Sequence, residues 1–258
     1  MTDSRYLRDD GEAAPRPIQV GEWPSLLIAY PHNGSGHANI GLWCVEIGNK
    51  YPGDNVKVDS VQASPVHYCR NKLGRLFLEQ DYEWLLSIDS DVNPPMDAAR
   101  KMMETALQTG ASLVCAPTPM FLNGEHLCMN LQMNGPEGTY FMTEFQREPF
   151  EIEACGFGCV LIKREALLDL KYPWWNWTES DGREMGEDIG FCRDLRKAGH
   201  SIWADGRVLC RHYKTVDLLA LCQAMIRTYD PNDPAIQNEE YETDGRFQQK
   251  TAWPWHAA

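Results

Sequence analysis

Trp84-Leu-Leu-Ser-Ile88, followed without a break by Asp89-Ser90-Asp91, decides how the rest of the chain is read. Five uncharged residues are the length of a strand, and an apolar run without alternation suits a strand covered on both faces. Two acids one residue apart then stand at a strand's carboxyl end, where open α/β sheets bind ligands. Carboxylate oxygens there suit a hard divalent cation, above all beside phosphate oxygens. The same triplet would also serve as a plain turn and helix N-cap, for which Asp is favoured.

Working outward, Ser25-Leu-Leu-Ile-Ala-Tyr30 is a second run of the same kind, ending in the turn formers Pro31-His-Asn-Gly-Ser-Gly36. Helical spacing follows from Ala38 to Ile47, strand alternation from Val56 to Val61, and a helical face of Leu73, Leu76 and Phe77 within Tyr68 to Glu79. Downstream, Pro94 and Pro95 predict the start of a helix that runs to Gln108 and stops at Gly110, and Ser112 to Ala116 reads as a buried strand. The order β-α-β-α-β-α-β predicts an α/β fold of three layers, α/β/α, around a central, mostly parallel mixed sheet. The second half is less regular. Leu122 to Gln146 reads as short hairpins or a flap. Strands are expected at Glu151 to Cys155, Cys159 to Ile162, His200 to Trp203 and Val208 to Arg211. Helices are expected at Arg164 to Leu170, Glu187 to Ala198 and Val216 to Arg227. Residues 1–22 read as an N-terminal arm, 23–215 as one α/β domain, and 216–258 as a C-terminal helix and acidic tail.

Of 258 residues, 43% are hydrophobic and 24% charged, which sets aside disordered, collagen-like and coiled-coil chains. The apolar runs are far shorter than a membrane span, and Met1 to Pro17 is polar and charge-mixed, unlike a signal peptide. Nine cysteines without a C-x-x-C pair suggest reduced thiols and a cytoplasmic protein. The net charge of −13 argues against a broad nucleic-acid surface.

Three further stretches carry chemistry. Gly186-Glu187-Asp188 opens a helix, where acids also serve simply to balance the dipole. His212 follows the apolar Val208-Leu-Cys-Arg211. Cys155-Gly-Phe-Gly-Cys159 offers either a tight turn or backbone that a sugar or phosphate can approach closely. Neither G-x-G-x-x-G nor G-x-x-x-x-G-K-[ST] is present.

Taken in order, these pieces resemble the glycosyltransferases with the A-type (GT-A, Rossmann-like) nucleotide-diphospho-sugar fold, in a family-2-like form. The resemblance runs from about Leu26 to Lys214. It rests on Arg70-Asn71 before a helix, Leu85 to Val92, Gly156-Phe-Gly158 with Leu161 to Arg164, Gly186 to Cys192, Gly199 to Trp203, and His212. It implies a metal-dependent transfer from a nucleotide-diphosphate sugar, UDP- or GDP-linked, to an acceptor hydroxyl. Asp89, Asp91 and His212 would hold Mn²⁺ or Mg²⁺, with Asp91 the direct ligand. The donor would meet Tyr30, Pro31, His32, Arg70, Asp89, Ser90, Asp91, Gly156 and Gly158. Asp188 would be the general base of an inverting reaction, or orient the acceptor in a retaining one, with Glu187 positioning it.

Trp174, Trp175 and Trp177 crowd together just before the acidic pair. Their apolar faces and polar edges suit a sugar ring or a nucleobase, so at least one of them is expected to wall the acceptor cleft, although a core plug would use the same residues. One departure from the pattern stands out: Tyr213-Lys214, and no further acid, follows His212. The acceptor expected is a glycan or, if Lys163, Arg164, Arg207, Arg211 and Lys214 cluster beside the cleft, a modified DNA base. A nucleotidyltransferase-like enzyme is the alternative, weakened because Asn33-Gly-Ser-Gly36 has no adjacent Lys or Arg. A non-catalytic sugar-nucleotide-binding module is the other.

Overall fold

The apolar runs pair side by side at the centre of the molecule. The structure is a computed structural model and describes residues 24–51, 55–122, 126–136, 138–180 and 183–215. The expected arm at 1–22 and the helix and tail at 216–258 lie outside the described residues. Seven strands form the main sheet: β1 (Leu26–His32), β2 (Val56–Gln62), β3 (Trp84–Ile88), β4 (Leu113–Cys115), β5 (Phe150–Glu151), β6 (Cys159–Lys163) and β7 (Ile202–Ala204), in the spatial order β5-β7-β4-β6-β3-β1-β2. β1 lies parallel to both β2 and β3, and β7 parallel to β4. β6 runs antiparallel between β3 and β4, and β5 antiparallel on the edge. Five strands therefore share one direction, and the sheet is mixed and mostly parallel.

Alternate residues of the central strands feed two separate cores, which is why these strands carry no polar face. Leu26, Ile28, Leu86 and Ile88 pack towards helices α1 (Ala38–Lys50) and α3 (Ala98–Thr109). Leu27, Ala29 and Leu85 pack towards α2 (Val66–Leu78), α4 (Arg164–Leu168) and α5 (Glu187–Lys197). The result is three layers. Each fully buried Leu or Ile contributes about 1.5–3 kcal/mol of transfer free energy, so the sheet is a rigid platform for whatever its ends carry.

Local signals explain most boundaries. Gly110 ends α3 at φ 72°, the left-handed region that glycine enters freely. Arg164 closes the C-terminus of α2, its guanidinium donating to the carbonyls of Leu78 and Gln80, both at 2.6 Å. Three elements differ from expectation. Glu151 to Cys155 is not one strand: Phe150–Glu151 pairs in the main sheet, and Ala154–Cys155 pairs with Leu131 and Gln132. Pro94 and Pro95 belong to the turn before α3, which starts four residues later at Ala98. Val208 to Arg211 is not a strand: only Arg211–His212 pairs, antiparallel to Val92–Asn93. The polar stretch after β4 forms two hairpins, Pro119–Leu122 with His126–Met129 and Leu131–Gly135 with Gly138–Phe141. The eight cysteines among the described residues are all buried free thiols.

Candidate active site

The carboxyl ends of β1, β2 and β3 open into one cleft of about 580 Å³, lined among others by Pro31, His32, Asp89, Ser90, Asp91 and Lys214. Each wall is pinned by backbone. The Asp89 amide donates to the Gly158 carbonyl at 2.9 Å, tying the acidic triplet to the glycine loop. The Ser90 carbonyl accepts from the His37 amide at 2.8 Å, which holds the loop after β1 against the triplet. Gly36 lies so close to Ser90 that a methyl group there would stand 3.2 Å from its Cβ. The segment after Arg211 crosses in front: the Tyr213 amide donates to the Asp91 carbonyl, its ring stacks on His37 at 3.8 Å, and Asn39 donates to its hydroxyl at 2.7 Å.

Asp91 is the electrostatic focus of the cleft. Its Oδ2 lies 3.5 Å from His212 Nε2 and 2.5 Å from Lys214 Nζ. Burial raises the Asp91 carboxyl, but bonds from His212 and Lys214 outweigh it and hold the group down at about 2. His212 Nδ1 lies 2.7 Å from the Pro119 carbonyl, an oxygen that only accepts, so Nδ1 carries a proton and Nε2 faces Asp91. An imidazole fixed in this way is the usual dress of a metal ligand. Two donors, one oxygen and one nitrogen, suit Mn²⁺ better than the oxygen-seeking Mg²⁺. Among the described residues, no group of three or more His, Cys, Asp or Glu converges. Asp91 and His212 Nε2 are thus the residues that could hold a divalent cation, with phosphate oxygens for the rest of its shell, while Asp89 turns elsewhere.

Asp89 faces Arg70. The Arg70 guanidinium donates to both Asp89 oxygens, at 3.0 and 3.1 Å, and to Glu187 Oε1 at 2.6 Å. Its side chain is only 5% exposed and lies over the Phe157 ring. Burial would pull the guanidinium down, yet Asp89, Glu187 and Asp188 outweigh it and raise it further. Arg70 and Asn71 sit inside α2, not before it, so Arg70 reaches the site from below and is no exposed phosphate contact. Its place in the fold makes it the joint between the triplet and the acidic pair at the start of α5.

Glu187 is buried and Asp188 half-buried at the N-terminus of α5, where the dipole favours negative charge. Burial pushes the Asp188 carboxyl up, Arg70 opposes this, and Glu187 adds to it; the group ends raised. Its Oδ1 accepts from the Ile189 amide at 2.8 Å. Its Oδ2 adjoins Gly156, where a methyl group would meet it at 3.4 Å and Asn130 Cβ at 3.2 Å. Asn130 orders this corner, accepting from the Thr118 amide and donating to the Gly156 carbonyl. Gly158 is equally confined, since a methyl there would stand 3.1 Å from Thr118.

Some expected residues lie elsewhere. Tyr30 packs partly buried on the α1–α3 core. Trp175 is 2% exposed, stacked on Phe191 at 4.7 Å. Trp174 lies against Gly74 and donates its indole N–H to the Leu167 carbonyl. These two indoles plug the core, and of the three only Trp177, 58% exposed, is open to a ligand. The five cations considered for a DNA patch do not gather. Arg164 caps α2, Arg207 pairs with buried Asp205, Lys163 pairs with Glu165, and of the five only Lys214 lines the cleft. Asn130 enters the site without having been singled out, whereas Tyr213 and Lys214 were marked as the residues standing where another acid was expected, and Lys214 also as one of the five cations considered.

This three-layer, mixed and mostly parallel sheet has the GT-A type of fold, as its likeness to solved structures shows. A197 from STIV aligns at TM-score 0.51 with 22% identity, over 74% of this chain and 86% of that one. GalNAc-T7 with UDP, GalNAc and Mn²⁺, a GT-A glycosyltransferase, aligns at TM-score 0.53 with 10% identity, over 76% of this chain. The chain spans 44% of the length of that neighbour. No family model and no curated protein matches the sequence. No helix among the described residues is long and apolar enough to cross a membrane.

Proposed function

We propose that residues 23–215 form the catalytic domain of a glycosyltransferase that moves a sugar from a nucleotide-diphosphate donor to an acceptor hydroxyl with inversion. The observation that carries this reading is Arg70, one buried guanidinium bonded to both Asp89 and Glu187. Through it, a cleft suited to a nucleotide diphosphate and a base-like carboxylate, Asp188, belong to one centre. GalNAc-T7, whose structure contains UDP and Mn²⁺, makes UDP and Mn²⁺ the first donor nucleotide and cation to try.

In this reading Pro31, His32 and Ser90 receive the nucleotide, and Asp91 with His212 Nε2 holds the cation. A divalent cation would supply Lewis-acid stabilisation of the departing diphosphate. Asp188 takes the proton from the acceptor hydroxyl as that oxygen attacks the anomeric carbon. The new C–O bond forms as the bond to the diphosphate breaks, and the diphosphate leaves with the electron pair. A carboxyl raised above its ordinary value is a better base than an exposed aspartate, and such assistance is worth roughly 10²–10⁴-fold. Gly156 leaves room beside Asp188 for the sugar, and Trp177 offers the acceptor an apolar face. A glycan hydroxyl fits an acidic chain, in which of the five cations considered only Lys214 lines the cleft, better than a modified DNA base does.

The test is a screen of UDP- and GDP-sugars with Mn²⁺, first by thermal shift and then by nucleotide release with candidate glycans. A true donor raises the melting temperature by mass action. Asp188→Asn should keep that shift and lose turnover. A chain that shifts with no sugar nucleotide is not this enzyme. One that binds but turns over normally as Asp188→Asn is a transferase with a different base.

A further inference from the structure

Lys214 stands where the cation would. Its ammonium sits on Asp91 Oδ2 at 2.5 Å, the same oxygen that faces His212 Nε2 at 3.5 Å. We propose that Lys214 and a divalent cation compete for Asp91, and that a nucleotide diphosphate decides the competition by drawing the ammonium onto its phosphates. The inference rests on the glycosyltransferase reading and adds to it a rule of loading: cation and nucleotide enter together.

Three observations support it. The backbone at this point is fixed: His212 pairs with Val92, Tyr213 donates to the Asp91 carbonyl, and the Tyr213 ring is stacked on His37. The Lys214 side chain, in contrast, is 58% exposed, and among the described residues its ammonium bonds to Asp91 alone. A tethered backbone with a free four-carbon stem lets the charge leave without disturbing the strap. Third, Lys214 lines the same cleft as His32, Asn33, Ser35 and Ser64, the side of the site left for the nucleotide.

Electrostatics sets the direction. Asp91 is the one carboxylate of the triplet that Arg70 does not hold, so an ammonium resting on it both satisfies the charge and repels an incoming cation. Phosphate oxygens give Lys214 a second anionic partner, and lysine is well suited to phosphate as a point charge. Once it turns to them, Asp91 and His212 are left to the cation, whose remaining shell the same phosphates fill. By linkage, whatever the nucleotide does for cation affinity, the cation does for nucleotide affinity.

The experiment is a Mn²⁺ titration followed by the electron paramagnetic resonance of the free ion, on the full chain and on Lys214→Met and Lys214→Arg, each with and without UDP or GDP. Wild type should bind Mn²⁺ weakly alone and more tightly with the nucleotide, by about fivefold or more, the lower edge of ordinary coupling energies. Lys214→Met should bind Mn²⁺ alone more tightly than wild type by a similar factor, and the nucleotide should add less. Lys214→Arg should behave as wild type. Lys214→Met binding Mn²⁺ alone no better than wild type overturns the competition while leaving the transferase reading intact. Absence of Mn²⁺ binding in every protein, with and without nucleotide, overturns the metal reading and the competition with it.

Discussion

Arg70 and Glu187, 117 residues apart in the chain, meet at 2.6 Å with both side chains buried. A pair so far from solvent is costly to assemble and far more costly to break, because removing one partner strands the other charge. Arg70→Met leaves Glu187 and Asp89 uncompensated. It should lower stability by about 3–5 kcal/mol in urea unfolding. Arg70→Lys, which keeps the charge but cannot fork between two carboxylates, should recover only part of this. Wild-type stability in Arg70→Met would show that the joint between the two acidic motifs is not structural.

The pH profile should report Asp188. An acid must be ionised to accept a proton, so kcat/KM should rise with pH through the raised Asp188 value and level off above it. Glu187 contributes to that elevation as a neighbouring negative charge. Glu187→Gln removes the charge and can still accept from Arg70, so the acidic limb should move to lower pH. A limb that stays in place or moves up argues against Asp188 as the base.

Gly156→Ala tests the room beside the base. Its methyl group would press on Asn130 Cβ at 3.2 Å and on Asp188 Oδ2 at 3.4 Å. Folding should survive, since these contacts ask for shifts of a few tenths of an ångström. Turnover should fall by roughly an order of magnitude or more, because displaced reacting groups lose rate steeply. Steady-state kinetics beside a melting curve separates the two effects.

The tryptophan cluster should split by function. Trp175→Ala should cost about 3–5 kcal/mol of stability, as for other large core truncations. Trp177→Ala should melt as wild type does and raise the acceptor KM with little change in the donor KM. Equal effects on both substrates would remove Trp177 from the acceptor side.

Much of the platform was legible because burial on two faces writes itself into sequence as unbroken apolar runs. Trp84 to Ile88 and Ser25 to Tyr30 announced the centre of the sheet, and Gly110 the end of α3. What escaped depends on contacts between distant residues. Arg70 looked like a phosphate contact, since nothing local reveals Glu187 waiting beneath it. Pro94 and Pro95 looked like a helix start, but they shape the turn that swings the chain from the triplet into α3. The crowded indoles looked like a cleft wall because indole N–H groups want partners. The Leu167 carbonyl supplies one for Trp174, and Asn71 anchors the backbone by accepting from the Trp174 amide and donating to the Trp175 carbonyl. Lys214 was visible as a missing acid and as one of five scattered cations, and its meaning came from the 2.5 Å to Asp91.

The central claim is that the cleft at the ends of β1, β2 and β3 takes a nucleotide diphosphate through a cation on Asp91. Calorimetric titration of UDP and GDP with Mn²⁺ present, on wild type and Asp91→Asn, measures it directly. One of the two nucleotides should bind wild type, and Asp91→Asn should weaken it by about tenfold or more, roughly 1.4 kcal/mol. Equal binding by both proteins, or binding of neither nucleotide to wild type, would contradict that claim.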